Sequence, residues 1–536
     1  MRIPLFSDNL KRSELLGWTA GAELRPVSVN VFRNHSFEMA ASVLAPFAAF
    51  AGFEPRFSYS DYDDSLNFIV GEEADLNLIW LDMARYKSEN LDGWLLERAA
   101  ALRALSGAPI LACCLSEAPL APDAGAVPDL FFMNAAEHVR DLGDKAYDEA
   151  KLEYSGTRLS SQACLRLARV LGLKYLPAVL EPALKAVVVD LDNTLYEGVL
   201  GEDGFEDLIL TPEHAAVQLE LKRLKEEGFF ICAASKNEEA DVIEMFERRS
   251  DFPLKLDDFT VIKADWNSKA ENIKAMAGTL NIGPEAMLFL DDNPAEIQNV
   301  EAAGLGVRAV LAESPAFTVN VLRYYPGLMK LSRSAEDAIR SGDLRANRSR
   351  REMMAALSPE EYFKKLAIRL VYSLNPADRL PRIAELLGKT NQFILAYKRY
   401  SQTRVKEIME SPDGAVLTVA MSDALSDSGL IAIVAARRDG RNRLVIDELT
   451  VSCRALGRNI EDIMLFKAFE LLADHLGTAG EILVSYAKGP RNGPALAWLN
   501  RAAEGGAAGE EGLAVCRPPA GLTAAGLDIE VEGPGK

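Results

Sequence analysis

The chain has 536 residues, 49% hydrophobic and 26% charged, an ordinary globular composition with enough apolar material for several separate cores. Its 59 Lys and Arg against 79 Asp and Glu leave a formal net charge of -20, which argues against nucleic acid or an anionic membrane surface as partner. Only four histidines are present, which argues against a His-based metal site, and Cys113, Cys114, Cys164, Cys232, Cys453 and Cys516 have neither zinc-ligand nor redox spacing.

In chain order, residues 1–18 mix charged and apolar side chains without an apolar h-region, so no targeting signal is expected. The most apolar stretch, 40–53, is too short to span a bilayer, and a reducing cytoplasm is the expected location. Residues 27–32, 76–81 and 109–115 read as buried strands, with helices at 36–53 and 94–105 between them. This alternation predicts an α/β unit with a mostly parallel sheet, closed by a long helical stretch at 161–180. His35 and Ser36 are the nearest thing to a nucleophile pair in it, and Ser36 is expected to be a plain helix N-cap.

A second α/β unit opens at residue 184. Residues 187–189 form a short apolar strand, and Thr211-Pro212-Glu213 reads as an N-cap followed by an N1 proline. That helix runs to Gly228, a C′ stop; strands at 229–234 and 287–290 follow, and the unit ends near Tyr325. Residues 333–358 are charged and weakly periodic, hence a linker. Ser358-Pro359-Glu360-Glu361 has capping-box spacing and opens a third unit that mixes helices and strands. The expected domains are 1–182, 183–326 and 359–503, with a linker at 327–358 and a Gly/Ala-rich tail at 504–536.

Four local signals in the second unit carry chemistry. Asp190-Leu191-Asp192 follows the first strand, and two carboxylates so spaced share a cation while the first attacks phosphorus. Ser235-Lys236-Asn237 follows the second strand where a helix begins, a place suited to holding phosphate oxygens. Lys269 stands at a helix start, and Asp291-Asp292 ends the third strand. Each signal alone is commonly a turn, a cap or a surface charge. All four in this order predict a phosphoryl-transfer site. Asp190 is its nucleophile and Asp192 its acid/base. Ser235, Lys236, Asn237 and Lys269 bind phosphate. Mg²⁺ is held by Asp190, Asp192 through its backbone carbonyl, Asp291 and Asp292.

These segments resemble motifs I to IV of the haloacid-dehalogenase (HAD) superfamily. Residues 190–204 (DLDNTLYEGVLGEDG), 235–237 (SKN) and 291–296 (DDNPAE) are similar to the FkbH-like family, HAD subfamily IIIC. Lys389-Thr390-Asn391-Gln392-Phe393, Lys398-Arg399-Tyr400, Asp427-Ser428-Gly429-Leu430-Ile431 and the run from Ser452 to Arg458 match the same family, so the likeness covers nearly the whole chain. It implies a central Rossmann-like HAD domain flanked by an SGNH/flavodoxin-like α/β domain and a GNAT-like α+β domain. It also implies an enzyme that moves a glyceryl or similar acyl group from an acyl phosphate such as 1,3-bisphosphoglycerate to an acyl-carrier-protein thiol, with loss of phosphate. A phosphatase acting on a small or carrier-bound phosphate ester is the alternative.

The gaps from Asp192 to Ser235 and from Ser235 to Lys269 are too short for a large cap domain, which suits a bulky acceptor. Departures from the family are plain. The family's flap L-W-G-G-V reads Leu195-Tyr196-Glu197-Gly198-Val199 here, and Ala186 stands where members often carry Cys. Cys232, one strand over, is expected to be a core thiol. The first domain lacks an SGNH nucleophile motif and is expected to bind or dock. Arg454-Ala455-Leu456-Gly457-Arg458-Asn459 partly matches a pyrophosphate-binding loop, and Lys389, Lys398 and Arg399 are candidates to meet an acidic carrier.

Overall fold

In the computed structural model all residues are described except 1–3, 20, 22, 72–73, 88–89, 119, 332–349, 351–352, 354–358, 391–392, 453, 457, 459, 490–491, 505, 507–508, 520–521, 523–526 and 533–536. Most of the expected linker, much of the tail, Ser358 of the capping box, Asn391-Gln392, Cys453, Gly457 and Asn459 therefore lie outside the described residues. The chain divides into two compact units: Met1–Ile273 with Pro284–Ser332, and Lys274–Gly283 with Arg333–Lys536.

The first unit holds two five-stranded sheets, both fully parallel. One is ordered β2-β1-β3-β4-β5, with β1 Arg25–Arg33, β2 Phe53–Tyr62, β3 Leu76–Asp82, β4 Ile110–Leu115 and β5 Leu130–Asn134. β3 and β4 are buried along their whole length, the pattern of a strand covered on both faces. The helices Glu38–Phe50 and Leu91–Leu105 stand where the sequence places them. The stretch from Ser161 to Leu180 is helical throughout, with a π turn at Leu171–Tyr175. There Gly172 lets the chain pass close to the Glu38–Phe50 helix, since a Cβ on it would lie 2.6 Å from that of Phe47.

The expectation for Ser36 is corrected. The N-cap position is Phe37, and no side chain caps the helix. Ser36 Oγ instead donates to Glu38 Oε2 at 2.7 Å. His35 is buried, stacked on Trp80 with centroids 5.4 Å apart, its Nδ1 2.9 Å from Thr157 Oγ1. The two residues thus turn to different partners.

The second sheet is ordered β10-β9-β6-β7-β8, with β6 Ala186–Val189, β7 Phe230–Ser235, β8 Val261–Ala264, β9 Met287–Asp291 and β10 Arg308–Leu311. β6, β7 and β9 are the three expected strands, and β8 and β10 are added at the edges. The helix Pro212–Glu226 starts as read, with Thr211 Oγ1 accepting from His214 N–H at 3.2 Å, and Gly228 takes φ 84°. One apolar core runs from the first sheet through to the second. At their junction Phe6 stacks on Tyr325 (6.1 Å), and Asn320 donates to Asp8 at 2.7 Å.

The second unit carries a seven-stranded mixed sheet, β16-β15-β14-β13-β12-β11-β17, built from β11 Arg369–Leu374, β12 Gly414–Ser422, β13 Asp427–Arg438, β14 Leu444–Val451, β15 Ile482–Ala487, β16 Glu511–Cys516 and β17 Asp528–Glu532. Glu448 on β14 is fully buried and accepts backbone N–H bonds from Leu395, Ala396, Lys398 and Leu449 at 2.6–3.2 Å, which fastens the 395–398 segment to the sheet. Among the candidate carrier contacts, Lys398 pairs with Asp447 at 3.4 Å and Arg399 donates to the Gly388 carbonyl. Arg458 is buried against Asp423 and Ser428, both at 2.9 Å, an internal ion pair. No described helix is long and apolar enough to cross a membrane.

Candidate active site

β6, β7 and β9 are neighbours, so their C-terminal tips stand side by side. The chain runs from β6 outward to β7 and β8, then crosses to β9 on the other side. The β6/β9 boundary is therefore the point where strand order reverses, the usual ligand crevice of an open parallel sheet. Asp190 and Asp291 flank it. The β6/β9 register continues past the strand, with Asp190 N–H donating to the Leu290 carbonyl at 2.9 Å.

Lys269 arrives from the third direction. Ser268 and Glu271 form a reciprocal cap: Ser268 Oγ accepts from Glu271 N–H (3.2 Å) and Glu271 Oε2 accepts from Ser268 N–H (3.2 Å). Lys269 thereby becomes the first residue of the helix Lys269–Leu280. Its ammonium, 4% exposed as a residue, is 2.6 Å from Asp190 Oδ1 and also bonds Asp291 Oδ2. Asp190, Asp291 and Asp292 each present a carboxylate oxygen within 4.8 Å of the others. They line one cavity of about 410 Å³ together with Asp192, Asn193, Lys236, Lys269 and Asn293.

Burial dominates the electrostatics. It pushes Asp190 up to about 7 against the pull of Lys269, and Asp291 adds to the push. Asp291 and Asp292 are raised for the same first reason, burial. Burial acts to lower Lys269, but Asp190 and Asp291 outweigh it and hold the ammonium above its ordinary range. Two buried carboxylates on one ammonium, with the half-buried Asp292 beside them, are short of positive charge.

The remaining expected residues divide. Ser235 is buried at the tip of β7. Asn237 is buried, but its amide donates to Asp192 Oδ2 (2.8 Å) and Ser235 Oγ (2.9 Å), so its donors face the protein. Lys236 is exposed and pairs with Glu296 at 2.5 Å on the cavity rim. The Asp192 carboxylate stands outside the three-acid cluster and accepts from Tyr196 Oη (2.8 Å) and Leu200 N–H (3.0 Å) as well as from Asn237.

Sequence reasoning passed over the roles of Tyr196 and Gln218. Gln218 is a polar residue on the buried face of its helix. Its amide reaches the Leu195 carbonyl (2.8 Å), and its carbonyl accepts from Leu254 N–H (3.2 Å). That oddity of pattern was the available signal. Cys232 is a buried core thiol as expected, pushed up to about 12 by burial.

Between Asp192 and Ser235 lie a turn, the short helix Leu200–Asp207 and the helix Pro212–Glu226; between Ser235 and Lys269 lie the helix Glu239–Arg248, a 3-10 turn and β8. Neither gap holds an inserted domain.

No protein-family model matches the chain, and no curated protein matches it significantly. Among solved structures, the N-terminal part of a Bacteroides fragilis protein, containing a phosphatase domain and complexed with Mg, is similar at 22% identity. That match covers 58% of this chain and 95% of that one, with a TM-score of 0.46. A HAD-family enzyme from Bacteroides thetaiotaomicron, complexed with magnesium and inorganic phosphate, is similar at 13% identity over 24% of this chain and 93% of that one (TM-score 0.20). A spermidine N-acetyltransferase variant from Vibrio cholerae is similar at 12% identity over 22% of this chain and 70% of that one (TM-score 0.18).

Proposed function

We propose that the chain is a Mg²⁺-dependent phosphoryl-transfer enzyme of the HAD type. The observation that carries this reading is the convergence of Asp190, Asp291 and Asp292 within 4.8 Å, with Lys269 on two of them and Ser235 on the adjoining strand. The donor set fits Mg²⁺: it is all carboxylate oxygen, partly buried, and short of positive charge. Bound there by Asp190, Asp291 and Asp292, the ion supplies charge neutralisation for a phosphate oxygen.

The chain's own groups do the rest. Asp190 attacks phosphorus, and the bond from phosphorus to the leaving oxygen breaks. Ser235 and Lys269 donate to the phosphoryl oxygens as charge moves onto them. Asp192 gives a proton to the leaving oxygen, then takes one from the incoming nucleophile, which attacks phosphorus as the bond from phosphorus to the Asp190 oxygen breaks.

The finer reading places a small acyl phosphate in this site and an acyl-carrier-protein thiol as acceptor. There the thiol sulfur attacks the acyl carbon, Asp192 takes its proton, and the bond from carbon to the phosphate oxygen breaks. Phosphate leaves into the Ser235 and Lys269 donors. The absence of an inserted cap and the open cavity support access by a carrier-bound group. The test is intact-mass spectrometry of a phosphopantetheinylated carrier protein incubated with the enzyme, Mg²⁺ and 1,3-bisphosphoglycerate. One added glyceryl unit supports the finer reading. Phosphate release without acyl gain assigns the chain to phosphate-ester or acyl-phosphate hydrolysis, and no Asp190-dependent phosphate release overturns both.

A further inference from the structure

We propose that Tyr196 and Asn237 are positioning residues that clamp Asp192 in one orientation and tie it to Ser235. The inference rests on the phosphoryl-transfer reading above. An ionised carboxylate offers about four acceptor positions. Asp192 has three filled from within the chain: Oδ1 by Tyr196 Oη and Leu200 N–H, Oδ2 by Asn237 Nδ2. One position on Oδ2 remains, and Asp192 lines the cavity. The second hydrogen of the same Asn237 amide goes to Ser235 Oγ, so one planar group sets the spacing between the Ser235 hydroxyl and the Asp192 carboxylate.

The clamp is held from behind. Tyr196 is fully buried and stacked on Phe252, centroids 5.7 Å apart and 16° from parallel. The turn that delivers it is fixed by Asn193, which takes φ 51°, donates its N–H to the Gly198 carbonyl (3.2 Å) and accepts from Gly198 N–H at Oδ1 (3.1 Å). Glu197 and Ile209 pair their backbones at 2.9 and 3.0 Å, closing the flap at its base. Arg249 donates to the Phe205 and Leu208 carbonyls, both 2.8 Å, fastening its far end, and lies over the Phe252 ring. A flap fastened at both ends gives Asp192 fixed donors, and a fixed acid delivers a proton along one direction only.

The consequence is chemical. When phosphorus–oxygen cleavage expels an alkoxide, the leaving oxygen needs the Asp192 proton in the same step. When it expels a weakly basic carboxylate, as from acetyl phosphate, it does not. The test measures kcat/KM with Mg²⁺ for acetyl phosphate, an aryl phosphate and an alkyl phosphate, using wild type, Tyr196→Phe and Asn237→Ala. Glu202→Gln, an exposed change on the flap helix, is the control. Tyr196→Phe is expected to lose roughly 10²-fold on the alkyl ester and less than about threefold on acetyl phosphate; Asn237→Ala, which also releases Ser235, is expected to lose on all three but more on the alkyl ester than on acetyl phosphate, so both steepen the leaving-group dependence. An equal loss on all three substrates, which a merely structural role gives, overturns the assignment, as does an unchanged alkyl rate in both variants. A wild-type enzyme with no Asp190-dependent phosphate release overturns the phosphoryl-transfer reading itself and this inference with it.

Discussion

Replacing Lys269 with methionine keeps most of the side-chain volume and deletes one buried charge. The ammonium serves two buried carboxylates, with side-chain exposures of 5% for Lys269, 7% for Asp190 and 0% for Asp291. Breaking a buried pair by removing one partner costs about 3–5 kcal/mol, because the other partner stays desolvated and unpaired. The pH dependence fixes the sign. Asp190 is already raised to about 7 with Lys269 in place, and Asp291 is raised too. A carboxylate raised in the folded state binds more protons folded than unfolded. Its contribution to stability therefore falls as pH climbs from its unfolded value near about 4 through its folded value.

Without Lys269 both acids move further up. Urea unfolding of Lys269→Met should show a deficit of about 3–5 kcal/mol at pH 8 that shrinks toward pH 5. Saturating Mg²⁺ should restore part of the loss at pH 8 by replacing the missing cation. A variant as stable as wild type at pH 8 in chelator would refute the reasoning, since Lys269 would then not be neutralising the two acids.

Other outcomes follow from the same geometry. Ser235→Ala removes one donor from the phosphoryl oxygens and should lower phosphate release by roughly 10²–10³-fold; it also leaves an Asn237 N–H buried without its acceptor, so a loss of about 1–3 kcal/mol in urea unfolding accompanies it. Asp190→Asn should abolish phosphate release while holding or raising stability in the absence of metal, because it removes one of three mutually repelling charges; calorimetry with and without Mg²⁺ checks both halves. Gln218→Leu leaves the Leu195 carbonyl and Leu254 N–H buried without their partners, and a loss of about 2–4 kcal/mol in urea unfolding is expected. Mg²⁺ at about 100 times its dissociation constant should stabilise the wild type by about 2.7 kcal/mol.

The tips of the central strands were legible because each combines a continuous apolar run with a sharp switch to Asp or Ser. β6 and β9 are buried on both faces, so the run and the strand coincide. β8 and β10 were not legible for the opposite reason. They are four-residue edge strands, half exposed, carrying Lys263 and Arg308, and only pairing with a neighbour marks them as strand. β2 is similar, with one buried position in ten.

The identities of Asp190, Ser235, Lys269 and Asp291 were readable from spacing, and so was a helix start at Lys269; the Ser268–Glu271 cap that sets it was passed over. What the side chains of Lys236 and Asn237 do was not. Both follow Ser235 directly and both carry donors, yet Asn237 points inward to Asp192 while Lys236 swings out to Glu296, sixty residues further on. Side-chain direction after a strand end depends on the turn, and the turn depends on contacts distant in sequence. Tyr196 was visible only as a flap residue, because its hydroxyl finds Asp192 through a turn set by the left-handed Asn193.

The most direct test of the central claim is a crystal structure of the enzyme with Mg²⁺ and a phosphate mimic such as tungstate. The expected result is an ion ligated by carboxylate oxygens of Asp190, Asp291 and Asp292, with the mimic's oxygens on Ser235 and Lys269. An ion bound elsewhere, or a mimic that touches neither Ser235 nor Lys269, would contradict it.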